Sequence, residues 1–126
     1  DYPYFLSAII NAIRNGTEFS AVNGEFWRDY IHLNDFAALC HNIAETAGHQ
    51  TINTAIDVVS KEPISKDDML TFFRQTYGLK LVHQQDNVEI SRTGLKPYYY
   101  SRRKNEIYTP RYTSLETLKQ ELKYFL

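Results

Sequence analysis

The chain has 126 residues, room for one domain, with 14 basic against 15 acidic residues and a net charge of −1. That balance supplies no field for capturing nucleic acid or a membrane surface, and no apolar run approaches the roughly 18 residues of a membrane span. The single cysteine, Cys40, excludes an internal disulfide and any cysteine-based metal cluster, and it suits a reducing, cytoplasmic compartment.

Pro3 suits a first helical turn, and Phe5, Leu6, Ile9, Ile10 and Ile13 form one apolar stripe of a helix that Gly16 stops. Residues 18–22 and 25–33 flank Asn23-Gly24, a two-residue turn signature, so a β-hairpin is expected there. Asn34 is the expected cap of a second helix, with Asp35 in its first turn, Phe36, Leu39, Cys40 and Ile43 on one side and Gly48 at its end. Residues 51–56 are β-rich. After Pro63, Ser65-Lys66-Asp67-Asp68 is close to a capping box and opens a helix carrying Met69, Leu70, Phe73 and Tyr77 to Gly78. Residues 79–83 suit a short strand, 84–87 a polar loop, and 97–101 an extended segment, with Ser101 placed to cap a helical turn through Ile107. Thr113-Ser114-Leu115-Glu116 is a capping box for a last helix with Leu115, Leu118, Leu122 and Phe125 inward. There are no internal repeats, low-complexity segments or linkers. Short strands alternating with helices predict an α/β domain.

The stretch from Phe26 to Phe36 organises the rest. Trp27, Asp29, Ile31 and Leu33 alternate with Phe26, Arg28, Tyr30 and His32, so one face packs while the other carries Arg28, Tyr30 and His32 into an open space. Arg28-Asp29-Tyr30-Ile31-His32-Leu33-Asn34-Asp35 resembles the Arg-Asp-Tyr-Ile-His-Val-x-Asp signature of the extended short-chain dehydrogenase/reductases, the sugar-nucleotide epimerases and dehydratases, with Leu33 for Val. The helix over 5–15 with Gly16 matches the helix before that family's hairpin. Thr51-Ile52-Asn53-Thr54-Ala55 resembles its Tyr-Asn-Val-Gly strand. Ser91-Arg92-Thr93-Gly94 sits where the family has Arg-x-Gly-Asp, with Leu95 in place of the Asp, and Tyr112 to Glu116 after Pro110 resembles its closing Pro-x-x-Ser-Leu-Glu.

The resemblance implies a small mixed domain of a hairpin, short strands and about four helices, the carboxy-terminal part of a Rossmann-type enzyme. Residues 1–126 would form a single substrate-binding piece that lacks the amino-terminal NAD(P)-binding half. It implies that Arg28 and Arg92 contact the diphosphate of a nucleotide diphosphate sugar. Tyr30 and His32 share the face of Arg28 and either line the same cleft or form a satisfied, half-buried pair. A guanidinium grips phosphate oxygens with two parallel hydrogen bonds, while a cross-strand partner for Arg28 is the plainer alternative.

The catalytic parts of such an enzyme are expected to lie elsewhere. A dinucleotide needs a glycine-rich strand–turn–helix, and the five glycines Gly16, Gly24, Gly48, Gly78 and Gly94 are too dispersed to make one. Tyr100-Ser101-Arg102-Arg103-Lys104 has the Tyr-x-x-x-Lys spacing, but it follows a proline and a tyrosine run and has no nicotinamide beside it. No catalytic residue is therefore assigned, and no cofactor is expected in this piece; NAD(P) belongs to the parent enzyme. Asp29 is expected to be structural, Trp27 to pack and Cys40 to be buried. The histidines His41, His49 and His83 have no metal-ligand spacing. The run from Tyr98 to Lys104 resembles a single-strand nucleic-acid clamp, but it is short in a slightly acidic chain. Two functions follow: the substrate-binding part of an NAD(P)-dependent epimerase or dehydratase, not catalytic by itself, or a non-catalytic protein-interaction module of that ancestry. In the family the strand over 51–56 would join the sheet of the absent half, so without that half a strand edge and apolar surface are uncovered and a homodimer or swapped oligomer is expected.

Overall fold

The structure is a computed structural model that describes residues 4–21, 24–49, 53, 55–83, 98–101 and 106–126. It is a mixed α/β domain whose elements run α1 (Phe5–Asn15), β1 (Glu18–Ala21), β2 (Trp27–Arg28), α2 (Leu33–Ala47), β3 (Ile64–Ser65), α3 (Lys66–Tyr77), β4 (Lys80–His83), β5 (Tyr98–Tyr99) and α4 (Ser114–Glu121), closed by a 3₁₀ turn over Leu122–Tyr124. Strands β1 and β4 pair in parallel as a two-stranded sheet, and a second sheet has the order β3-β2-β5.

The core forms between α1, β1, α3 and α4. Ile9, Phe19, Met69, Phe73, Leu118 and Leu122 are among its buried members. On α3, Met69, Leu70 and Phe73 recur at three- and four-residue spacing, so one stripe enters the core. The helix starts because the Ser65 side chain accepts the Asp68 N–H and in turn donates to the Asp68 carboxylate. It stops at Gly78, whose φ of +67° is open to glycine and strained for other residues. Helix α4 carries the complete capping box: the Thr113 side chain accepts from the Glu116 N–H, and the Glu116 carboxylate accepts from the Thr113 N–H.

Among the described residues, the strands expected on either side of Asn23-Gly24 do not pair with each other. Strand β1 takes β4 as its neighbour, with Phe19 opposite Leu81, while β2 pairs antiparallel with β3 and parallel with β5. The reason lies at the start of α3. The Lys66 N–H donates to the Phe26 carbonyl at 2.8 Å and to the Glu25 carboxylate at 2.9 Å, and the Lys66 ammonium donates to the Gly24 carbonyl. These bonds draw the chain after the turn toward residue 66 instead of back along β1. The strand expected over 25–33 is correspondingly reduced to Trp27 and Arg28. Of the strand expected over 51–56, residues 53, 55 and 56 lie outside any strand, and 51, 52 and 54 are outside the described residues. The expected loop over 84–87 also lies outside them, as do residues 102–105 of the expected turn after Ser101.

Helix α2 departs from its expected form in two ways. It begins at Leu33, capped by His32 and not by Asn34. Its apolar stripe is not fully covered: Leu39 is buried, but Phe36 is 49% exposed, Leu33 is 66% exposed, and Cys40 is exposed instead of buried. Phe125, expected inward, is likewise exposed. Truncating Phe73 to alanine should therefore cost about 3–5 kcal/mol in urea unfolding, whereas Phe36→Ala should stay within about 0.5 kcal/mol of the parent. Similar costs at the two positions would contradict this account of the core.

Candidate functional site

The stretch from Trp27 to Asp35 is fixed by two carboxylates. Asp29 accepts the Ser60 N–H on both oxygens at 3.2 Å and the Ser114 hydroxyl at 3.1 Å. Ser114 is completely buried, and its oxygen also accepts the Tyr30 N–H at 2.9 Å. Ser60 donates its own hydroxyl hydrogen to the Glu62 carbonyl at 2.8 Å, so the one Ser114 hydrogen is shared between Asp29 and the Ser60 oxygen 3.1 Å away. The expectation that Asp29 is structural holds.

Asp35 is 1% exposed and takes the other end of the chain. It accepts the N–H groups of Arg111 and Tyr112 at 3.0 Å each and the Tyr108 hydroxyl, with the Arg111 Nε 3.5 Å away. Burial alone would raise its pKa, but the hydrogen bonds from Tyr108, Tyr112 and Arg111 outweigh that and hold it below the ordinary carboxylate value. The sequence offered Asp35 as an acidic residue in a first helical turn and as the last residue of the signature resemblance. Its burial, and its role as the anchor of residues 108–112, had no local signature.

Among these anchors the expected ligand-contacting side chains take different places. Arg28 is half-buried, donates from Nη1 to the Trp27 carbonyl at 2.8 Å and lies 4.3 Å over the Phe26 ring. Tyr30 points inward, where its hydroxyl meets the Met69 sulfur at 3.9 Å. Burial pushes its phenol up to about 12, with the Arg28 cation offsetting part of that rise, so it stays neutral at any physiological pH. His32 is 4% exposed, stacked on Tyr112 at 4.0 Å, with Nε2 facing Gln120 at 3.0 Å and Nδ1 accepting the Asn34 N–H at 3.1 Å. The face expected to open with Arg28, Tyr30 and His32 is thus closed at the latter two. They follow the chain into the core and the cap because β2 ends at Arg28 and the alternation does not continue. Arg92 lies outside the described residues.

A hollow of about 600 Å³ is lined by His41, Asn42, Glu45, Thr46, Glu106 and Ile107, and a smaller one of about 240 Å³ by Thr71, Arg74 and Gln75. Neither is lined by Arg28, Tyr30 or His32. Among the described residues no cluster of three or more His, Cys, Asp or Glu side chains is placed to hold a metal ion, and no helix is long and apolar enough to cross a membrane. The described glycines with positive φ, Gly16, Gly24 and Gly78, end α1, precede β2 and end α3. None opens a helix behind a strand, so these residues do not fit a dinucleotide pyrophosphate. No family profile matches the chain, and no curated protein or solved structure is significantly similar to it.

The depressed folded-state value of Asp35 fixes the sign of its pH dependence. Its contribution is fully present above the unfolded carboxyl value of about 3.9 and is lost as pH falls through the lower folded value. Asp35→Asn is expected to cost about 1–3 kcal/mol at neutral pH, with the gap to the parent narrowing below about pH 4. Urea midpoints across that range check this, and a gap that does not change with pH contradicts it.

Proposed function

We propose that the chain is the substrate-binding portion of an NAD(P)-dependent sugar-nucleotide epimerase or dehydratase of the extended short-chain dehydrogenase/reductase family, with no turnover by itself. Arg28 and Arg92 neutralise the diphosphate of a nucleotide diphosphate sugar. The nicotinamide and the catalytic tyrosine and lysine come from a Rossmann-type half that this piece completes. Tyr30 and His32 enter this reading as the packing that fixes the Arg28 segment.

The observation that carries the reading is how the motif residues are used. Asp29 locks the strand to Ser60 and Ser114, and the adjacent half-buried guanidinium is held by the Trp27 carbonyl and lies 4.3 Å over the Phe26 ring. A preformed, immobilised guanidinium loses little freedom on meeting a phosphate. A second support is the uncovered face of α2. Leu33, Phe36 and Cys40 follow helical spacing and are all exposed, which suits a helix that packs on the nucleotide-binding half. In isolation the same face favours a second copy, so self-association belongs to this reading too.

The rival reading, a non-catalytic interaction module, draws on the same exposed face and on Tyr98, 63% exposed at the edge strand β5. Calorimetry with UDP, dTDP, GDP and CDP separates the two. Weak binding of one nucleotide, reduced at least about tenfold by Arg28→Ala, is expected. Silence with all four nucleotides, with the chain shown to be folded, overturns the substrate-binding reading and leaves the interaction module.

A further inference from the structure

We infer that His32 is a proton-sensitive helix cap. On taking up a second ring proton it releases the first turn of α2 and pairs with Glu121 at the end of α4. The two ring nitrogens face different partners. Nδ1 accepts the Asn34 N–H at 3.1 Å, so it carries a lone pair in this structure. Nε2 faces two acceptors, Gln120 Oε1 at 3.0 Å and Glu121 Oε1 at 3.5 Å, so it carries the hydrogen. The surroundings therefore select one neutral tautomer.

A second proton has one place to go, Nδ1, where it would point at the Asn34 N–H. The cap is then lost, because a donor faces a donor. The cation also stands at the positive end of the α2 dipole. On the opposite side of the ring the positive charge it brings is welcome. The Glu121 carboxylate lies within reach of Nε2, and the stacked Tyr112 ring accepts a cation on its face. Proton uptake thus exchanges a bond to α2 for an ion pair with α4.

The other charged groups around the ring set the balance. Gln120 is neutral, and Glu121 favours the cation. Arg111, 5.9 Å from the centre of the Tyr112 ring, opposes it. Asp35, in the first turn of α2, favours it but is already engaged by Tyr108, Arg111 and Tyr112. The exchange matters because Leu39 is the one buried apolar residue that α2 supplies among the described residues. Its start is held by polar bonds, so losing the cap loosens the turn that carries Asp35.

The test is a pH titration of the 126-residue chain followed by ¹⁵N NMR of the His32 ring and the Asn34 amide, from about pH 8 down through the acid range in which the chain stays folded. At the upper end Nδ1 should give the shift of an unprotonated nitrogen and Nε2 that of a protonated one. As the ring takes up its second proton, the Asn34 amide should shift with the same midpoint. Its hydrogen-exchange protection factor should fall roughly five- to tenfold, the equivalent of a lost cap. His32→Asn, which keeps an acceptor at the cap but does not titrate, should hold Asn34 protection constant across the range. The inference is overturned by the opposite tautomer at the upper end, by ring titration that the Asn34 amide ignores, or by a ring that stays neutral throughout. If the variant fails to fold, the parent's ring and amide signals decide alone.

Discussion

The Ser114 hydroxyl is the point on which three distant parts of the chain converge. It has no exposed surface, gives its hydrogen to Asp29, and takes the Tyr30 N–H and the company of Ser60. Around it the backbone is sewn in both directions, with the Lys61 N–H on the Tyr112 carbonyl and the Ser114 N–H on the Glu62 carbonyl, each at 2.8 Å. A buried polar node of this kind is costly if any member is missing, because the groups left behind have no water to turn to. It therefore fixes one arrangement of the 27–35 stretch, the loop at 60 and the start of α4, and the position of Arg28 follows from that arrangement.

Helix α2 extends the same logic. A helix of this length usually buries an apolar stripe, yet Leu33, Phe36 and Cys40 are exposed, while His32, Asp35 and Asn42 make the attachments. The polar bonds set where α2 sits, and its apolar face is uncovered. In the functional reading the nucleotide-binding half covers it. In the rival reading an unrelated protein does. The chemistry of the face is the same in both, so the nucleotide experiment, not the surface, discriminates between them.

What could be read from the sequence was local. Ser65, Thr113, Gly16 and Gly78 each act within four residues of themselves, through a side-chain acceptor or a positive φ, and the structure uses all four as expected. The α/β class and the stripe of α3 were legible for the same reason. The hairpin was not, because its turn residues describe one preference, and the bonds from Lys66 to Gly24 and Phe26 reach across forty residues or more to override it. The cap of α2 was hidden by chemistry: Asn34 is the better capping residue by composition, but a ring nitrogen two residues earlier does the work. Of the expected site, Asp29 was legible as a structural group. Tyr30 and His32 take the packed alternative and not the cleft-lining one, because a strand of two residues cannot sustain an alternation of eight.

The central physical claim is that Asp29 and Ser114 act as one unit in holding the Arg28 segment. A double-mutant cycle of Asp29→Asn and Ser114→Ala, read by urea unfolding, tests it most directly. A coupling of about 1–2 kcal/mol between the two changes is expected. Effects that simply add would contradict it.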